Sequence, residues 1–211
     1  MTEIVAKCTH GIDLHTGSNH RSNLPQIRAD VDDAETLRLA AAFGAPVILN
    51  AGARDGLMRE AAAEIGVPTL VYEGGEALRF NEGVIRAGLR GIIGVMRAIG
   101  MLSPARARRS RVEPYVAKES KWVRAPMSGM LHLSVHLGDK VDREQAVGRI
   151  IDPFGAKDEP VVAPVSGIVI GRLNNPLVHR GDALLHIACF ENADLVEESI
   201  EAFQDEYFPE E

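Results

Sequence analysis

Asp13 and His15 stand two residues apart in the stretch GIDLHTGSNHR, residues 11–21, where an apolar run ends in a small polar turn. On an extended strand that spacing puts both side chains on one face. An imidazole beside a carboxylate suits metal ligation, because the carboxylate fixes the ring's tautomer and orientation. A second apolar run, TLVY, ends in Glu73 and is followed by Gly74 and Gly75, which leave room in front of the carboxylate. A glutamate held at a strand end beside a cleft can take a proton from water and return it to a leaving group. For a ligand's carboxylate, Arg21 and Arg54 offer bidentate forks, and Asn19 adds an amide next to the turn.

Such groups need a frame. Up to about residue 104 short β-type runs alternate with helical periods. GIDLH, APVILN and VPTLVYEGG read as strands. DDAETLRLAAAFG reads as a helix capped by Asp32 or Asp33 and stopped at Gly44. RDGLMREAAAEIG gives a second helix, and residues 80–102 a longer one. Alternation of this kind predicts an α/β layer with a parallel or mixed sheet, whose ligands collect at the carboxyl ends of strands.

From about residue 105 to 190 the grammar is short β runs with Gly and Pro turns, and it repeats. APMSG at Ala125 and APVSG at Ala163 each lead into an apolar strand, then Gly-Asp at 138–139 or 181–182, then a closing strand. Two copies of one β unit predict a small all-β barrel or sandwich in which each half completes the other. The pattern is similar to the barrel-sandwich hybrid of biotinyl and lipoyl carriers. Lys157, in the inter-repeat turn IDPFGAKDEP, lacks the neighbours of a modified lysine, so attachment of a prosthetic group is not expected.

The formal net charge of -7 is concentrated at one end. Residues 191–211 hold nine acids and no base, which leaves the other 190 residues near +2. Nucleic acid is therefore not expected as a partner. The apolar spacing in this acidic segment predicts a short docking helix. The basic run ARARRSR, 105–111, reads as a solvated linker. VIRAGLRGIIGVMRAIGML is broken by Arg86, Arg90 and Arg97, which makes it an amphipathic helix rather than a membrane span. Cys8 and Cys189 stand far apart with no CxxC, and the start lacks a signal-peptide pattern, so a reducing, cytoplasmic setting is expected.

The DLHT strand end, the later TLVYEGGE strand end and a β unit with A-P-x-S-G repeats, in that order, resemble the succinylglutamate desuccinylase/aspartoacylase family. That family's catalytic domain is related to the zinc carboxypeptidases. The resemblance implies a zinc-dependent hydrolase that cleaves the acyl group from an N-acyl amino acid or a related small amide or ester. It makes His15 the third zinc ligand, Asp13 the group behind it and Glu73 the general base and acid. The family's first two zinc ligands come from an H-x-x-E motif well upstream of the D-x-H strand, and nothing before Thr9 matches it. The expectation is a chain that begins at an internal methionine, binds Zn2+ weakly, has little or no activity alone and, through an exposed sheet edge, either pairs as a homo-oligomer or is poorly soluble. The alternative is a non-catalytic binding or scaffold protein.

Overall fold

The computed structural model describes residues 3–51, 58–104 and 112–209. Its strands are β1 (Gly11–His15), β2 (Arg21–Ala29), β3 (Val47–Asn50), β4 (Thr69–Gly75), β5 (Tyr115–Ala117), β6 (Glu119–Arg124), β7 (Gly129–Leu133), β8 (Lys140–Val141), β9 (Ala146–Ile151), β10 (Asp158–Val162), β11 (Gly167–Leu173), β12 (Leu177–Val178) and β13 (Ala183–Cys189). The helices are α1 (Ala34–Phe43), α2 (Met58–Glu64), α3 (Glu82–Ala98) and α4 (Ala193–Tyr207).

The helix boundaries follow local chemistry. Asp33 caps α1, its carboxylate accepting from the Thr36 amide at 2.7 Å, and Gly44 ends the helix with φ 82°. Asn81 caps α3 by accepting from the Val84 amide. Helices α1 and α3 cover one face of the sheet, burying Ile27, Leu39, Phe43, Ile48, Leu70 and Tyr72 in a common core. Among the described residues no helix is long and apolar enough to cross a membrane.

The strand missing from the sequence reading is β2, nine residues with a buried centre. It runs through the segment after TGSNH and pairs antiparallel with β4, parallel with β3 and antiparallel with β11. Pro25 and the polar residues Asn23, Gln26 and Arg28 hide it. The proline lacks an amide donor, and the β2–β4 register shifts between Asn23 and Gln26, a bulge that accommodates it.

Of the small barrel or sandwich expected for 105–190, the β-rich region forms two sheets rather than a closed barrel. Its strands β11, β13 and β6 continue the sheet that begins β1-β4-β2, while β7, β9, β10 and β12 form a second, four-stranded sheet. Among the described residues the strands do not close into a barrel; β10 and β12 end the smaller sheet. The repeat is nevertheless visible in the pairing. Gly129 of the first copy pairs with Val178 of the second, and Gly167 of the second pairs with Val141 of the first. One core lies between the two sheets, with Val123, Leu131, Ile150, Val169, Leu184 and Ile187 in it.

The acidic segment forms α4, which buries Val196, Ile200, Phe203 and Tyr207. Leu195, which contributes to the apolar spacing of this segment, is 45% exposed. The basic run 105–111 lies outside the described residues.

Candidate active site

Strands β1 and β4 run parallel with an unbroken register from Gly11–Thr69 to His15–Glu73. The two ionisable strand ends are thus direct partners, on one face of the sheet at the carboxyl ends of both strands. His15 Nε2 lies 2.9 Å from Asp13 Oδ2. Its Nδ1 has no protein partner among the described residues.

Glu73 is also the register partner of Gln26 on β2. Its Oε2 accepts from Arg28 Nε at 2.7 Å and from Gln26 Nε2 at 3.3 Å. Oε1 carries no hydrogen bond among the described residues. Gln26 is fully buried, and its own Oε1 has no partner among the described residues.

The register extends this polar face. Two residues beyond Glu73, Gly75 pairs with Asn23, Asn23 with Gly171, Gly171 with His186, and His186 with Trp122. His186 is buried and stacks on Trp122 with ring centroids 4.1 Å apart and planes at 6°. Desolvation, helped by the charges of Arg28 and Arg21, pushes its pKa down to about 4, so the ring is neutral at pH 7. The β-rich region therefore adds side chains to the face that carries Glu73.

The remaining described residues singled out by sequence form no hydrogen bond or ion pair with His15 or Glu73. Arg21 opens β2, donates from Nη2 to the Ala183 carbonyl at 2.8 Å and lies over Trp122 at 4.8 Å. It braces β2 against β13. Asn19 is exposed in the turn before β2, and Arg54 lies outside the described residues. His10 pairs with Glu35 at 3.3 Å, and His20 takes a left-handed turn with φ 61°. The glycines after Glu73 serve packing. A Cβ on Gly74 would meet Val84 of α3 at 3.0 Å, while Gly75 accepts from the Gly17 amide with its carbonyl at 3.1 Å. A cleft of about 880 Å3 lined by Ser22, Pro25, Gly75, Glu76, Phe80 and Phe208 adjoins β2 but includes neither His15 nor Glu73.

Sequence reasoning missed Arg28, Gln26, His186 and Trp122. The period-two spacing of Gln26 and Arg28 was the available signal, and a histidine inside the apolar run LLHIA was another.

Among the described residues no group of three His, Cys, Asp or Glu stands close enough to hold a metal ion. Catalytic zinc usually takes three protein ligands. The donors present here, His15 steadied by Asp13, do not by themselves make such a site.

Residues 2–99 match the sequence profile described as the succinylglutamate desuccinylase/aspartoacylase catalytic domain. No curated protein sequence matches the chain. Among solved structures, a succinylglutamate desuccinylase/aspartoacylase from Rhodobacter sphaeroides superposes with a TM-score of 0.78 at 24% identity, covering 90% of this chain and 60% of that one. The ectoine utilization protein EutE (DoeB) from Ruegeria pomeroyi gives 0.79 at 18% identity, covering 89% and 62%. An aspartoacylase family protein from Mesorhizobium loti gives 0.72 at 17%, covering 90% and 60%. The fold is shared, and this chain spans about three fifths of the length of these structures.

Proposed function

We propose, from the premise that residues 2–99 belong to the succinylglutamate desuccinylase/aspartoacylase catalytic-domain family, that the chain is the Glu73-bearing part of a deacylase. The reaction is hydrolysis of an N-acyl amino acid, or a related small amide or ester, to a carboxylate and a free amine or alcohol. The observation that carries this reading is the register that makes His15 and Glu73 partners at the ends of parallel strands.

In this reading Glu73 Oε1 takes a proton from the attacking water and returns it to the leaving amine. Oε2 stays bound to Arg28 and Gln26, which fixes the carboxylate in the sheet. Asp13 holds the His15 ring. Zinc is the ion that the family resemblance implies, with His15 as one of its ligands, and its chemistry there would be polarisation of the acyl carbonyl and of water. Asn19, Arg21 and Arg54 remain candidate contacts for the substrate. A reducing, cytoplasmic setting suits the unpaired Cys8 and Cys189. Homo-oligomer pairing along β1 suits its place at the end of the sheet path, where Leu14 is 57% exposed.

Amine release from a panel of N-acyl amino acids, compared between the unaltered chain and Glu73→Gln with zinc supplied, tests the assignment. With His15 as one zinc ligand the unaltered chain is expected to turn over slowly, and the substitution should lower kcat by a further factor of roughly 10² to 10⁴ with an unchanged circular dichroism spectrum. Equal rates in both would remove Glu73 from its role. A second reading, a non-catalytic binding or scaffold protein, is favoured by the lack of a three-ligand group among the described residues. It predicts no release from either protein.

A further inference from the structure

The turn that leaves β4 carries two large apolar side chains into solvent. Leu78 is 92% exposed and Phe80 95%, on either side of Arg79. The turn is tied at both ends. Glu76 Oε2 accepts from Asn174 Nδ2 at 3.1 Å and is ion-paired with Arg79 Nε at 3.3 Å, while Asn81 caps α3. Between these ties Leu78 has φ 62°, a left-handed conformation that a leucine rarely takes. A strained backbone that displays a leucine and a phenylalanine to water disfavours the single chain, and burial against another surface would offset that.

The surface that would receive this turn lies beside it. The cleft of about 880 Å3 next to β2 counts Arg79 and Phe80 in its own lining, and Pro25, Val84, Leu137 and Phe208 give it apolar walls. Asp205 of α4 also lines it and has no ion pair or hydrogen bond among the described residues. Arg79 is 70% exposed and meets Glu76 through Nε alone, which leaves its Nη end without an ion pair among the described residues. An apolar prong with a cation and an apolar cleft with an unpaired carboxylate thus share one patch. A patch that carries both halves of a contact is self-complementary, as a two-fold interface requires. Any other partner must supply the cation and apolar side chains that this chain already presents.

We infer that two copies of the chain associate about a two-fold axis, the Leu78–Arg79–Phe80 turn of each entering the cleft of the other. Phe80 then packs against the walls formed by Pro25, Leu137 and Phe208, and Arg79 meets Asp205. Phe80 is the anchor, since an aromatic side chain seated in a pocket dominates an interface of this kind. The contact uses no residue of β1 and does not depend on the deacylase reading.

Sedimentation equilibrium of the 211-residue chain across the micromolar range tests this, and a dimer is expected. Phe80→Asp changes a solvent-facing side chain, so it should leave the circular dichroism spectrum unchanged and weaken the dimer by roughly tenfold or more. Arg79→Asp and Asp205→Arg each set like charges against one another and should weaken it by roughly threefold or more. Combined, they restore an opposite pair and should return the dimer constant to within about threefold of the unaltered value. Leu14→Lys places a charge on the β1 edge and blocks strand pairing there, yet the dimer should persist in it. The inference is overturned by a mass of one chain at every concentration, by a dimer indifferent to Phe80→Asp, by loss of the dimer in Leu14→Lys, or by a double charge reversal that recovers nothing.

Discussion

Arg28 and Glu73 form an ion pair between adjacent antiparallel strands, Nε to Oε2 at 2.7 Å, with the two side chains 29% and 17% exposed. Arg28 is the register partner of Val71, two residues before Glu73, so both groups project from the same face. Arg28→Met leaves a largely buried carboxylate with only the longer Gln26 contact. The expected loss is about 2 kcal/mol by urea unfolding, below the range for fully buried pairs. The double variant Arg28→Met/Glu73→Gln should recover at least half of it. Strict additivity of the single changes would show that the two do not stabilise one another.

His186 sets an acid limit. Its folded pKa, about 4, lies below the ordinary 6.5, because burial and then Arg28 and Arg21 oppose the charged ring. Between these values the unfolded chain binds more protons than the folded one, so stability is intact above pH 6.5 and declines as pH falls toward 4. The full effect is on the order of 3 kcal/mol. His186→Phe retains a ring to stack on Trp122 and removes the titration. Thermal melts from pH 7 to 4 should fall more gently for that variant; parallel curves would contradict the assignment.

Much of the frame was legible because local signals agreed with tertiary demands. Asp33 and Gly44 bound α1 as their types suggest, and GIDLH and TLVYE end at the same level of the sheet. The β2 strand was not legible, since its polar positions are satisfied by residues distant in sequence. Gln26 and Arg28 look like loop residues until Glu73, more than forty positions later, is placed beside them. The repeat announced two similar β units. It did not reveal that Gly171 would pair with Asn23 and make the second unit continuous with the α/β sheet. The geometry of the candidate site was half-readable for the same reason, the strand-end pair being local to two motifs while the row to His186 and Trp122 depends on a join across the sheet.

Glycines on α3 permit its contact with α1. A Cβ on Gly94 would stand 2.4 Å from the Ala42 carbonyl oxygen, and one on Gly91 2.2 Å from the Phe43 ring. Alanine improves helix propensity by about 1 kcal/mol, but the clash at Gly94 is with backbone that cannot rotate away. Overpacking of this kind costs roughly 1–3 kcal/mol. Gly94→Ala is therefore expected to lower the melting temperature, and a rise would show that α1 and α3 can separate at little cost.

The acidic C-terminal helix is held by buried groups more than by its charges. Ser199, 4% exposed, donates from Oγ to the Glu113 carbonyl at 2.7 Å and accepts from the Glu113 amide at 2.9 Å. One hydroxyl thus satisfies both backbone groups of a residue just before β5. Ser199→Ala leaves that amide and carbonyl without their partner, a cost of about 2 kcal/mol. Removing an exposed acid from the same helix, as in Glu201→Ala, should change stability by less than about 0.5 kcal/mol. Ile200, 1% exposed, lies in the core that includes Leu24 and Ile170, so Ile200→Ala should cost roughly 2–4 kcal/mol. If charge held the helix, the order would reverse: 1 M salt, which cuts the screening length to about 3 Å, would release it and the two buried substitutions would matter little. Urea midpoints for the three variants at low and high salt decide between these outcomes, and the packing predicts that salt leaves the ranking of Ile200, Ser199 and Glu201 unchanged.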